Sequence, residues 1–206
     1  MELLKRTGWL LAILLITTSI KLYAQDEIIS AFKESYALEQ KGDFTKAIEK
    51  FTKIYQADSY EMNLRLGWLY YVAGKLTESE NFYEKAIALK PYSIEARWGI
   101  AYPMSAAAKW DELIVVYNKI LEIDPQNTLT NYRLGLIYYN RQNYVKADIY
   151  LEKVINLHPF DYDSMLLLAW NKLALQKFRE AKVLFHKVLM YSPDDASALE
   201  GLKLIK

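Results

Sequence analysis

Apolar and small side chains return along this chain in evenly spaced triplets: Ala47, Phe51 and Ile54; Ser79, Tyr83 and Ala86; Leu113, Tyr117 and Ile120; Ala147, Leu151 and Val154; Ala181, Phe185 and Val188. Steps of four and then three residues place each triplet on one face of an α-helix. A second pattern precedes each triplet. Ser35, Gly67, Ala101, Gly135 and Ala169 are small, and Leu66, Ile100, Leu134 and Leu168 stand immediately before four of them. A small residue lets two helix axes approach, so each pair of patterns predicts a helical hairpin. Breakers and caps separate the halves: "KGD" at 41–43, Gly74 followed by the capping-box pattern Thr77-x-x-Glu80, "KWDE" at 109–112 and "RQN" at 141–143.

The hairpins have a fixed length. Pro91, Pro125, Pro159 and Pro193 lie 34 residues apart, and proline ends a helix because it lacks an N–H and restricts its predecessor. Units of 34 residues follow at Tyr60–Ser93, Ile94–Asn127, Thr128–Asp161 and Tyr162–Asp195, with a weaker first unit from about Ile28 to Ser59 that is two residues short and has Ser59 in the proline's place. The phrases "LRLGWLYYVAGKLTESENFYEKAIALKP" and "YRLGLIYYNRQNYVKADIYLEKVINLHP" are the second and fourth units. One hairpin cannot bury its apolar face alone, whereas a stack can. The closing "ASALEGLKLIK" at 196–206 reads as a capping helix, with Leu199, Leu202 and Leu204 or Ile205 available to cover the last hairpin.

Period, small column, aromatic column and closing proline together resemble the tetratricopeptide repeat family, in register over nearly all of the chain after residue 24. The resemblance implies an all-α fold: a right-handed α-solenoid of about five helical hairpins plus the C-terminal cap. It also implies a concave wall lined by the first helix of each unit. On this chain those columns hold Phe32 and Tyr36; Leu64, Trp68 and Tyr71; Trp98 and Tyr102; Tyr132, Leu136 and Tyr139; Leu166, Trp170 and Leu173. The nine aromatics among them are the candidate groove residues, and such a groove suits an extended or helical segment of another protein. Packing on neighbouring helices is the competing reading for each ring. Tyr70, Tyr83, Tyr117, Tyr138, Phe51 and Phe185 occupy the family's core columns. The Lys and Asn clamp with which some members hold a C-terminal carboxylate is missing. Pro103, inside the first helix of the third unit, predicts a kink.

The amino terminus adds a different signal. Lys5 and Arg6 precede an apolar stretch from Trp9 to Ile16, followed by "KLYAQ", which is the order of a secretory signal peptide. The charge-free run is shorter than the roughly 20 residues that cross a bilayer as a helix. Cleavage after Ala24 is expected, with an uncleaved anchor as the alternative; removal of residues 1–24 shifts the net charge from +1 to −1. That balance, without basic runs, argues against nucleic acid.

Zero cysteines exclude disulfides and Cys-based chemistry. His158 and His186 have no ligand-like spacing, and no phosphate loop or nucleophile elbow is present, so neither cofactor nor metal is expected. Asp124, Asp161, Asp194 and Asp195 sit at turns, where carboxylates cap helices. These readings converge on an exported, non-enzymatic binding module of the periplasm or cell envelope, with protein segments as partners. A small molecule or sugar in the same groove, and a structural subunit using its ends or convex face, are the alternatives.

Overall fold

The computed structural model describes residues 25–205, and all secondary structure among them is helical. The expected signal peptide lies outside the described residues. The chain divides into two compact units, the first ending at Ala107 and the second beginning at Ala108. The division falls inside the third repeat.

In the first unit α1 covers 25–40, followed by α2 (Phe44–Lys53), α3 (Tyr60–Val72), α4 (Leu76–Leu89) and α5 (Ile94–Ala106). The second unit holds α6 (Trp110–Ile123), α7 (Thr128–Asn140), α8 (Tyr144–Leu157), α9 (Tyr162–Ala174), α10 (Phe178–Tyr191) and α11 (Ala196–Leu204).

The odd-numbered helices from α3 onward begin 34 residues apart because their N-caps do. Ser59, Ser93, Asn127, Asp161 and Asp195 each accept a hydrogen bond from the backbone N–H three residues on, satisfying a donor the helix leaves open. Ser59 is therefore the counterpart of Ser93, not of the prolines. The first repeat is short because α2 has 10 residues where α4 has 14. Among the turn aspartates, Asp161 and Asp195 cap as expected; Asp124 accepts from Gln126 N–H and Asn127 Nδ2 within its turn, and no helix cap among the described residues is made by Asp194.

Within the hairpins the turn residue has positive φ at Gly42, Gly74, Ala108, Gln142 and Gln176. Glycine adopts that conformation freely, and the other three pay for it with strain. At Gly74 the chain reverses through Gly74 N–H to Tyr71 C=O and Lys75 N–H to Tyr70 C=O, each 2.9 Å, a Schellman-type closure. Lys75 then occupies the N-cap of α4, so Thr77 lies inside the helix and Thr77-x-x-Glu80 is not a capping box.

Helices within each unit are held by rings seated on small residues. Tyr83 of α4 is buried between α3 and α5: a Cβ on Gly67 or Gly99 would lie 2.9 or 2.1 Å from its ring. Ser79 Oγ donates to Gly67 C=O at 2.7 Å. In the second unit Leu151 covers Gly135, and Phe185 covers Gly201 of α11. The cap is thus anchored through Ala198 and Gly201, with Leu202 and Ile205 packed at its side, while Leu199 and Leu204 are exposed. The close approach at Gly201 decides which face of α11 turns inward.

One further expectation needs correction. Tyr70 and Tyr138 are half-buried: they stack flat on Phe82 and Tyr150, with Lys75 and Lys146 over their outer faces. Pro103 is buried within α5, and the helix continues through it to Ala106.

Candidate functional site

The first unit contains a cleft of about 1080 Å³ between α1, α3 and α5. Helical spacing builds its walls. Phe32, Tyr36 and Glu39 share a face of α1; Glu61, Leu64 and Trp68 share one of α3; Glu95, Trp98 and Tyr102 share one of α5. Each helix therefore brings an apolar stripe with a carboxylate at one end.

Of the sequence-predicted residues, Phe32, Tyr36, Trp68, Trp98 and Tyr102 line this cleft together with Leu64. Tyr71 stands behind them, its ring 5.6 Å from Trp68 and 5.5 Å from Tyr102, while Trp68 and Tyr102 meet edge to face at 5.9 Å. Tyr36 and Tyr102 are 51% and 47% exposed and share one cleft with Trp68 and Trp98, so they form a cluster instead of isolated surface rings. Phe32 serves both sides, since it also sets its ring against buried Phe51 at 4.7 Å.

The other three candidates belong to the second unit and pack. Trp170 meets Phe185 edge to face at 5.4 Å and donates from Nε1 to Ser197 Oγ at 2.9 Å, tying α9 to α11. Tyr132 and Tyr139 lie against the core that Leu151 and Phe185 help to form, and burial holds both hydroxyls above the ordinary tyrosine range.

Charged groups in the cleft were not singled out from the sequence. Arg65 is 5% exposed; its Nη1 pairs with Glu39 at 2.6 Å, its Nε donates to Ser35 Oγ at 2.9 Å, and its guanidinium lies 3.9 Å from the Tyr36 ring centre. Its Nη2 has no acceptor among the described residues. Trp68 Nε1 donates to the other oxygen of Glu39 at 2.6 Å. Lys90 sits 4.1 Å over the Tyr60 ring and 3.4 Å from Glu61. A hydrogen bond from its own backbone, with Lys90 beside it, keeps the Glu61 carboxyl below its usual range. Tyr60 donates to Glu95 at 3.0 Å. Sequence offers a faint signal for Arg65 only in its recurrence as Arg133, which is exposed; the partners that bury Arg65 come from α1, some 30 residues upstream.

The second unit has its own charged cluster. Lys172, 2% exposed, reaches Asp148 and Glu180 at 2.9 Å each and also bonds Glu152; Lys177 reaches Asp148 at 2.9 Å. Burial alone would lower the Lys172 pKa, but these carboxylates outweigh it and hold it above its ordinary value. Burial would raise Asp148, and the two lysines reverse that, leaving it depressed. Each charge has partners, so the cluster reads as a clamp joining α8, α9 and α10. His158 meets Thr128 Oγ1 at 3.1 Å, and no three acidic, His or Cys side chains among the described residues are grouped to hold a metal. No helix among those residues is long and apolar enough to cross a membrane.

Comparison with known proteins gives a consistent picture. Residues 32–94 and 130–160 each match tetratricopeptide repeat families. A tetratricopeptide repeat protein of Parabacteroides merdae superposes with a TM-score of 0.74 at 22% identity, over 87% of this chain and 72% of that one. MamA protein gives 0.70 at 22% identity over 82% and 94%, and MamA from Desulfovibrio magneticus 0.69 at 16% over 83% and 98%. Human protein O-mannosyl-transferase TMTC1 is 28% identical over 174 residues, 80% of this chain. The chain spans only about a fifth of that protein's length, 20%.

Proposed function

Starting from a chain that is a tetratricopeptide repeat protein, we propose that it is a non-enzymatic scaffold of the cell envelope. It holds a segment of a partner protein in the aromatic cleft of its first unit. The tetratricopeptide fold supports protein interaction in general. The exposure of Tyr36 and Tyr102 beside Trp68 and Trp98 is the observation that carries the cleft reading. Rings of this kind present large contact area with few rotamers to freeze, which suits them as anchors for a bound segment. Export rests on the sequence of residues 1–24.

A paired pull-down from envelope proteins tests the cleft, using the native chain and a Tyr36→Ala, Tyr102→Ala variant shown by circular dichroism to melt alike. Partners retained by the native chain and missing from the variant are the expected result; an unchanged set removes the cleft from the function. Cell fractionation with N-terminal sequencing tests export, with envelope location and a mature start at Gln25 expected.

One observation favours a second reading, in which outer helix faces make the contacts. Val115, Ile149 and Val183 recur at one repeat spacing on α6, α8 and α10, each more than half exposed. Ile149→Asp would then abolish a partner that the cleft variant keeps.

A further inference from the structure

The cleft of the first unit carries more information than its rings. We infer that its occupant is a peptide segment in which a lysine or arginine stands beside an apolar or aromatic side chain. This rests on the reading of the cleft as a protein-binding groove, and names the chemistry of what it takes.

Charge balance selects the basic residue. Three carboxylates, Glu39, Glu61 and Glu95, line the cleft against two cations, Arg65 and Lys90. Both cations are engaged: Arg65 with Glu39 at 2.6 Å, Lys90 with Glu61 at 3.4 Å. Glu95 receives only the Tyr60 hydroxyl and has no cation among the described residues. An acidic segment would meet three carboxylates and no free cation. A basic one would complete the balance at Glu95, where Trp98 and Tyr102 lie one and two turns along the same face of α5. Their ring faces attract a cation or cover the methylenes of its stem; Arg65 on Tyr36, at 3.9 Å, shows that arrangement already made once inside the cleft.

One segment can therefore serve two features of the cleft: an apolar side chain against Trp68 and Tyr102, and a basic side chain at Glu95.

The test is selection of twelve-residue random peptides displayed on phage against the full chain. Selected peptides are then synthesised with capped ends and titrated by tryptophan fluorescence against the native chain and Glu95→Lys. Glu95 is exposed, and a Glu95→Gln variant of unchanged melting temperature controls for loss of the Tyr60 hydrogen bond. Enrichment of Lys or Arg beside Leu, Phe, Tyr or Trp is expected, with roughly three- to tenfold weaker binding to Glu95→Lys, the range for loss and reversal of an accessible charge. Selected peptides without a basic preference, or bound equally by Glu95→Lys, overturn the inference and leave the groove reading standing. Failure to select any peptide overturns both.

Discussion

Gly201 illustrates how a single residue organises its surroundings. Glycine inside a helix costs about 1 kcal/mol relative to alanine, yet a Cβ there would come 2.2 Å from the Phe185 ring. Gly201→Ala should therefore destabilise the chain despite its better helix propensity, by about 1–3 kcal/mol from overpacking, measured by urea unfolding. In the fourth repeat the residue corresponding to Phe185 is Leu151. Adding Phe185→Leu should recover part of the loss, and strictly additive effects would refute the contact as its cause. The converse holds at Gln142, whose φ of 58° suits glycine. Gln142→Gly should stabilise by up to about 1 kcal/mol, since relief of strain exceeds the added unfolded-state entropy; a lower melting temperature would contradict this.

Between elements, the clamp around Lys172 makes stability depend on pH. Asp148 is depressed in the folded chain, so its contribution is present above the unfolded aspartate value of about 3.9 and disappears as pH falls through the lower folded value. Lys172 is raised, so its contribution is complete below about 10.4 and is lost as pH rises through the higher folded value. Thermal unfolding across pH should show a plateau between those limits with losses at both ends. Lys172→Ala should cost about 3 kcal/mol, because it removes a buried stem and leaves Asp148 with the Asn171 amide and one cation, Lys177. It should also flatten the alkaline fall. A variant with native stability would mean that the clamp is incidental. At this level the sequence is only half legible: the caps at Ser59 through Asp195 repeat with the period, whereas Lys172 looks like any polar position until α8 and α10 close over it.

For the molecule as a whole, the division after Ala107 passes through the third repeat, the one that departs from the pattern with Leu113 in a column otherwise held by Ala or Ser and with Pro103 inside its first helix. Periodicity was enough to predict the helices, their 34-residue recurrence and the buried columns, because those properties arise from local rules: 3.6 residues per turn, caps, breakers and the need to hide one face. It was also enough to collect the candidate aromatics. Which of them remain open to a ligand was decided by the tertiary structure. Tyr36 and Tyr102 stay exposed at the cleft while Trp170, on an equivalent column, is spent against Phe185 and Ser197. Arg65 and Arg133 occupy the same repeat position, yet only Arg65 is buried, through Ser35 and Glu39 of α1. A column specifies which way a side chain leaves its own helix, but not what the adjacent helices place in front of it, and exposure, pairing and charge balance all depend on the latter.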